Sequence, residues 1–155
     1  MNSRSAGVLA CRLRPAGPEF LLVHPGGPFW ARRDAGAWSV PKGMIEDGED
    51  GLAAALREFA EEVGIPLAGR FTRLADRRQK SGKLVLCWMV EADLDLSTFR
   101  SNTFEMEWPP KSGRLIHVPE CDRAEYFPDN RALEKILPGQ RGFIEEAIAI
   151  LAPSG

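Results

Sequence analysis

The stretch from residue 50 to 63 constrains this chain more than any other. Leu52, Ala55, Leu56, Phe59 and Val63 recur at spacings of three and four, which gives one apolar stripe along a helix. Asp50 stands at the N-cap position, and Gly64 followed by Pro66 supplies the stop. On that helix Glu58, Glu61 and Glu62 fall within one sector of about 100° beside the stripe. Three clustered carboxylates repel one another unless something positive sits among them. Hard oxygen donors at this density suit Mg2+ or Mn2+. Arg57 points to another side and can reach back to Glu49, whose charge is favoured near a helix N-terminus. Glu49 and Arg57 therefore read as a pair holding the loop against the helix. Gly43 after Pro-Lys suggests a bend in which carbonyls face a metal, and Gly48 turns the chain into the helix. Taken alone, three glutamates on a polar helix face are ordinary solvated surface.

Along the rest of the chain, residues 6–13 and 20–24 pattern as strands joined through a turn at 15–19. A long Gly/Pro-rich loop follows, PGGPFWARRDAG, of the kind that carries binding sites. Residues 37–40 read as a brief strand that Pro41 ends. Beyond the helix, 71–74 and 83–90 read as strands. The second (KLVLCWMV) is apolar on both faces and so central. Residues 97–112 lack a clean period and read as a structured loop, 115–118 and 124–127 as short strands. A short helix begins at about residue 130, and a longer one over 139–151 carries Phe143, Ala147, Ile150 and Leu151 on its apolar face. Strands on both sides of a helix, with hairpins, predict a layered α/β fold with a mixed sheet. At 155 residues, with no internal repeat or dividing linker, one domain over 1–155 is expected.

The pattern that decides the chemistry runs Gly43, five residues, Glu49, seven residues, then Arg57-Glu58-Phe59-Ala60-Glu61-Glu62-Val63-Gly64-Ile65. These 23 residues match the Nudix box, Gly-x5-Glu-x7-Arg-Glu-U-x-Glu-Glu-x-Gly-U, at every specified position, Phe59 being a less usual apolar U. With seven fixed letters at about one in fifteen each, a chance match is below about one in a million. The chain thus resembles the Nudix hydrolases, tightly over residues 38–65 and more loosely elsewhere. The resemblance implies an α/β/α sandwich with a mixed sheet. It also implies a Mg2+-dependent hydrolase (Mn2+ serving as well) acting on the phosphoric anhydride bond of a nucleoside diphosphate linked to another group. By position it makes Glu58, Glu61 and Glu62 metal ligands, joined by the backbone carbonyl of Lys42, with Glu49 and Arg57 supporting them. Several family members add a glutamate from a loop outside the box, as metal ligand or general base. Glu120 is the candidate, Glu105 and Glu107 are rivals, and Glu58 itself is an alternative base.

The lead-in Trp38-Ser39-Val40-Pro41-Lys42-Gly43 resembles that of members acting on dinucleoside polyphosphates such as diadenosine tetraphosphate. Lys42 is placed to meet a phosphate as a point charge. Arg32 and Arg33 suit a polyphosphate tail, and Trp30 and Trp108 are candidate base-stacking partners, whereas Trp88 reads as core. Against this stands a departure. Such hydrolases often carry a tyrosine some 16 to 18 residues past the box, where this chain has Ser81, Gly82 and Lys83, and its only tyrosine is Tyr126. HPGGPFW and SNTFEMEWPPKSGR resemble a bacterial branch of predicted pyrophosphohydrolases, which names a branch and no substrate.

Two alternatives stand beside the leading reading: a sanitising pyrophosphatase of oxidised or normal nucleoside triphosphates, and a non-catalytic nucleotide sensor. Sensors of this family usually lose box carboxylates, and here all are present. A net charge of −2 gives no broad basic footprint, so a small nucleotide is the expected partner, with neither nucleic acid nor membrane. Cys11, Cys87 and Cys121 follow no metal-ligand spacing and read as reduced, buried thiols. That fits a cytoplasmic protein, either monomer or homodimer, and the N-terminal segment reads as a first strand rather than a signal peptide.

Overall fold

Strand β1 (Arg4–Arg14) turns at Pro15 and Ala16 into β2 (Gly17–Pro25), a tighter hairpin with longer strands than the sequence pattern suggests. The structure, a computed structural model, describes residues 3–152. β1 is the spine of a seven-stranded sheet. The first half of one edge pairs antiparallel with β3 (Lys42–Met44) and the second half with β2, while its other edge runs parallel to β6 (Leu84–Glu91). β9 (Cys121–Pro128) adds to β2, and the short β4 (Thr72–Arg73) and β5 (Arg77–Arg78) both add to β6. One parallel pair among antiparallel ones makes the sheet mixed.

Because successive strand side chains point to opposite faces, the central strands build two cores at once. On one face Ala6, Val8, Ala10, Leu21, Leu86 and Val90 receive Ala54, Ala55, Phe59 and Val63 of α1 (Gly51–Val63). On the other, Leu9, Phe20, Leu22, Val85 and Cys87 receive Ala132 of α2 (Asp129–Lys135) and Phe143, Ile144 and Ala147 of α3 (Arg141–Leu151). The result is a three-layer α/β/α sandwich with a mixed sheet. Trp88 is buried in the α1-side core.

Four segments differ from their sequence reading. Residues 37–40 form no strand; Trp38 and Ser39 make single bridges to Ile136 and Val23. The buried carboxamide of Gln140 takes the Val40 N–H at 3.0 Å instead of a neighbouring strand, and the strand itself lies beyond Pro41. Residues 97–112 are not a loop. After a 3-10 turn at Leu96–Thr98, β7 (Thr103–Glu107) pairs with β8 (Leu115–Pro119) in a separate two-stranded ribbon. Phe104, Met106, Ile116 and Val118 share one face of it, but Phe104 is exposed and only Val118 is buried, so the alternation carries little signal. β5 has no strand pattern of its own and exists through pairing with β6. The last helix starts at Arg141, after a 3-10 turn at Pro138–Gln140, and buries a different face from the one its apolar residues suggest. Ile144 enters the core and Ile150 is exposed.

Candidate active site

Helix α1 is delivered to the sheet edge with both ends fixed. The Asp50 carboxylate accepts the Ala53 N–H at 3.1 Å, and Gly64 closes the helix in the left-handed region at φ 73°. Between these caps Glu58 and Glu62 face the short strand β3, and Glu61 stands next to them on the helix. Gly43 is a glycine for a reason of space rather than bend: a Cβ there would lie 2.0 Å from the Glu58 carboxyl carbon. Glu58 thus packs its carboxylate onto the bare Cα of Gly43. One residue earlier the backbone N–H of Lys42 donates to Glu62 Oε1 at 2.9 Å.

Arg57 is the hub. Its Nε and Nη2 donate in a fork to the two oxygens of Glu49, each at 2.9 Å, and Nη2 also donates to the Met44 carbonyl at 3.0 Å. Nη1 donates to Glu58 Oε1 at 2.8 Å and more weakly to Glu61 Oε1 at 3.4 Å. The loop before the helix is therefore tied to the helix through a guanidinium that also touches the carboxylate cluster. Arg57, helped by the Glu46 N–H, holds the Glu49 carboxyl down at about 2. Burial acts the other way on the cluster. It raises Glu58, with repulsion from Glu61 and Glu120 adding to it against the pull of Arg57. It pushes Glu62 up to about 8, the Lys42 N–H opposing and the charges of Glu58 and Glu120 adding.

Glu120, in the turn between β8 and β9, joins this edge. Burial and then the charge of Glu61 raise its carboxyl. Glu62 and Glu120 line one cleft of about 220 Å³ together with Lys42, Trp30, Ser39 and Leu137. Burial, then the neighbouring Lys83, lower the Lys42 ammonium, while Glu62 and Glu58 pull it up. The rivals lie elsewhere: Glu105 faces His117 across the ribbon at 3.9 Å, and the Glu107 carboxylate caps the Lys111 N–H at 2.7 Å. Neither lines the cleft.

Among the aromatic and basic candidates, Trp30 lines the cleft, with the Arg33 guanidinium 5.5 Å over its ring. Arg32 and Arg33 are exposed on the same loop. Trp108 does not line the cleft; its ring stands edge-on to Phe29, 5.1 Å between centroids. Tyr126 spends its hydroxyl on the backbone, donating to the Ala92 carbonyl at 2.7 Å and accepting the Leu94 N–H at 3.0 Å.

Among the described residues no three His, Cys, Asp or Glu side chains converge as a ready ligand set. Glu58 is turned toward Arg57 and Glu62 toward the Lys42 amide. The donor chemistry nevertheless fits a hard divalent cation: four carboxylates share one edge, and three of them are raised by burial and mutual repulsion that a cation relieves.

Sequence reasoning missed the residues that frame the cleft. His24 is fully buried, with Nδ1 2.8 Å from Asp122 Oδ1 and Nε2 2.6 Å from the Arg33 carbonyl. It anchors the Trp30 loop. Asp34 bonds both Lys135 and the Trp38 indole N–H, fastening the same loop to α2. Gln140, also fully buried, holds Ser39 and Val40. His24 follows Phe20 and Leu22 at strand spacing, so its inward position was readable; for Gln140 and Asp34 no local signal exists.

A model of the NUDIX domain matches residues 3–147. The chain is 30% identical over 123 residues to the asymmetrical bis(5'-nucleosyl)-tetraphosphatase of Sus scrofa, covering 74% of this chain and 75% of that protein. It is 38% identical over 84 residues to an RNA pyrophosphohydrolase of Novosphingobium aromaticivorans, covering 52% and 50%. Among solved structures it is similar to a C. elegans Ap4A hydrolase in a binary complex, with TM-score 0.66, 21% identity, and coverage of 95% and 97%. For some curated relatives the match spans only a third to a half of their length.

Proposed function

The chain belongs to the NUDIX domain family, and we propose that it is a divalent-metal-dependent pyrophosphohydrolase whose substrate is a dinucleoside polyphosphate such as diadenosine tetraphosphate. The observation that carries this reading is the convergence of Glu62 and Glu120 with Lys42 and Trp30 on one cleft, beside Glu58 and Glu61. Metal-binding carboxylates, a phosphate-binding cation and a base-stacking ring are the three things a nucleotide anhydride requires at one place.

The ligands for Mg2+ or Mn2+ in this reading are Glu58, Glu61 and Glu62, with the Lys42 carbonyl. The cation supplies neutralisation of the charge that develops on the anhydride oxygens. The remaining work falls to the chain. Lys42 meets the phosphates as a point charge within a cleft that lowers the dielectric around it. Trp30 presents a ring to the base, braced by Arg33. Glu120, raised by burial, accepts the proton of the attacking water. Arg57 and Glu49 fix the register of the carboxylates and touch no substrate. In-line displacement at phosphorus depends on such alignment and electrostatics more than on covalent help.

Similarity to both a tetraphosphatase and an RNA pyrophosphohydrolase puts triphosphorylated RNA ends on trial as well, which the charge balance argues against. The test is a panel in Mg2+ with product identification: diadenosine polyphosphates, oxidised and normal nucleoside triphosphates, ADP-ribose and a triphosphorylated oligonucleotide. Turnover greatest on the diadenosine compounds, and lost in Glu61→Gln and Glu62→Gln, supports the proposal. Greatest turnover on another member replaces the substrate. Tight nucleotide binding without hydrolysis of any member makes the chain a sensor and overturns the enzyme reading.

A further inference from the structure

Glu120 does not sit on the catalytic helix, yet its carboxylate has to be registered against Glu61 and Glu62 to within a fraction of an ångström if it is to share their chemistry. The backbone shows how this is done. The Asn102 N–H donates to the Glu61 carbonyl at 2.8 Å, the Glu120 N–H donates to the Asn102 carbonyl at 2.8 Å, and the Gly26 N–H donates to the Glu120 carbonyl at 3.0 Å. Three hydrogen bonds thus run in series from the helix, through residue 102, through Glu120, to the start of the loop that carries Trp30. A fourth, from the Arg100 N–H to the Val63 carbonyl at 2.9 Å, fastens the same segment to the end of α1. The bonds to the Glu61 and Val63 carbonyls use acceptors that a helix C-terminus leaves without intrahelical partners.

Among the described residues one side chain joins this series. The Ser101 hydroxyl donates to the Asn102 carbonyl at 2.9 Å and accepts the Cys121 N–H at 3.0 Å. It therefore bridges the acceptor of the Glu120 amide to the residue that follows Glu120. Between Asn102 and Glu120 the chain leaves as the β7–β8 ribbon and returns; Pro119 is paired with Thr103 and Cys121 with Pro25, and the Ser101 hydroxyl ties the two ends together at Glu120 itself. Gly26 presses in from the other side: a Cβ there would stand 2.0 Å from the Pro119 carbonyl oxygen.

We propose that Ser101 is a positioning residue for Glu120, acting through the hydrogen-bond series Glu61–Asn102–Glu120–Gly26 that registers the loop carboxylate against the catalytic helix. The proposal rests on the reading of Glu120 as a working carboxylate of the site.

The test is a double-mutant cycle in kcat on the best substrate, using Ser101→Ala, Glu120→Gln and the double variant in the full chain, with Ser101→Thr as the conservative rescue. We expect Glu120→Gln to lower kcat about a hundredfold and Ser101→Ala about tenfold, consistent with displacement of a reacting group by well under 1 Å. Ser101→Thr keeps the hydroxyl and stays within about threefold of wild type. In the Glu120→Gln background the further effect of Ser101→Ala shrinks to within about twofold, because residues in one network do not act independently. A tenfold loss persisting in that background shows Ser101 acting on something other than Glu120 and overturns the proposal, as does an unchanged kcat for Ser101→Ala. An unchanged kcat for Glu120→Gln overturns it by a different route, by removing Glu120 from the chemistry. Should Ser101→Ala fail to fold, Ser101→Cys, which keeps the size of the side chain and weakens both hydrogen bonds, is read in the same cycle.

Discussion

Replacing Gly43 by alanine separates function from folding in this protein. The new methyl carbon would stand 2.0 Å from the Glu58 carboxyl carbon and Oε2 and 2.4 Å from Oε1. Ordinary contact between such atoms is about 3.5–4.0 Å, so the carboxylate has to retreat by roughly 1.5 Å. The retreating atoms are the end of a flexible side chain, so the fold yields cheaply: a cost of about 1–3 kcal/mol for overpacking is an upper range, partly offset by the lower chain entropy of alanine. For a chain of this size that corresponds to about 2–4 °C in Tm per kcal/mol. Activity suffers more. A misplacement of about 1 Å in a reacting group costs on the order of a hundredfold, which is about 2.7 kcal/mol in the barrier. Steady-state kinetics in Mg2+ alongside a thermal melt should therefore show kcat down about a hundredfold or more with a native-like transition. A variant that melts normally and keeps wild-type kcat would refute the account of why this position is glycine, and with it the role given to Glu58.

Gly64→Ala should behave oppositely, because φ is 73° and the new Cβ would meet the Arg100 carbonyl oxygen at 2.2 Å; a left-handed alanine alone costs about 1–2 kcal/mol, so a clear fall in Tm is expected, and an unchanged Tm counts against the cap. Glu49 is depressed to about 2, so its stabilising effect is full above the ordinary carboxylate range and is lost as pH falls through about 2. Glu49→Gln should accordingly melt below wild type at pH 7, with the gap closing from about pH 4.5 downward; a gap independent of pH contradicts the ion pair. Phe143→Ala removes a fully buried ring from the α3-side core and should cost about 3–5 kcal/mol in a denaturant titration. Burial raises all three thiols, Cys11 to about 11, so alkylation of the native protein at pH 8 should be slow and should speed up only on unfolding.

How far these features could be read from the sequence follows the range of the signal. Helix α1, its caps and its carboxylates were legible because the period, the cap residues and the box all lie within 23 consecutive residues. The two cores were legible in outline, since β1 and β6 are apolar on both faces. The ribbon was not, because Phe104 and Leu115 remain exposed and its pairing partners lie across a turn from each other. Glu120 was preferred to its rivals Glu105 and Glu107 only for its place ahead of an aromatic strand, because nothing local shows where the ribbon returns to the sheet. The role of Gly43 was misread as a bend for the same reason: the atom it makes room for belongs to Glu58, 15 positions away on another element.

The most direct test of the central claim is Mn2+ binding followed by electron paramagnetic resonance, comparing wild type with Glu62→Gln under conditions where both are folded. If the carboxylates of α1 form a divalent-metal site, wild type binds Mn2+ saturably and in competition with Mg2+, and Glu62→Gln weakens that binding at least tenfold. Equal affinity in the two proteins, or no saturable binding in wild type, would contradict it.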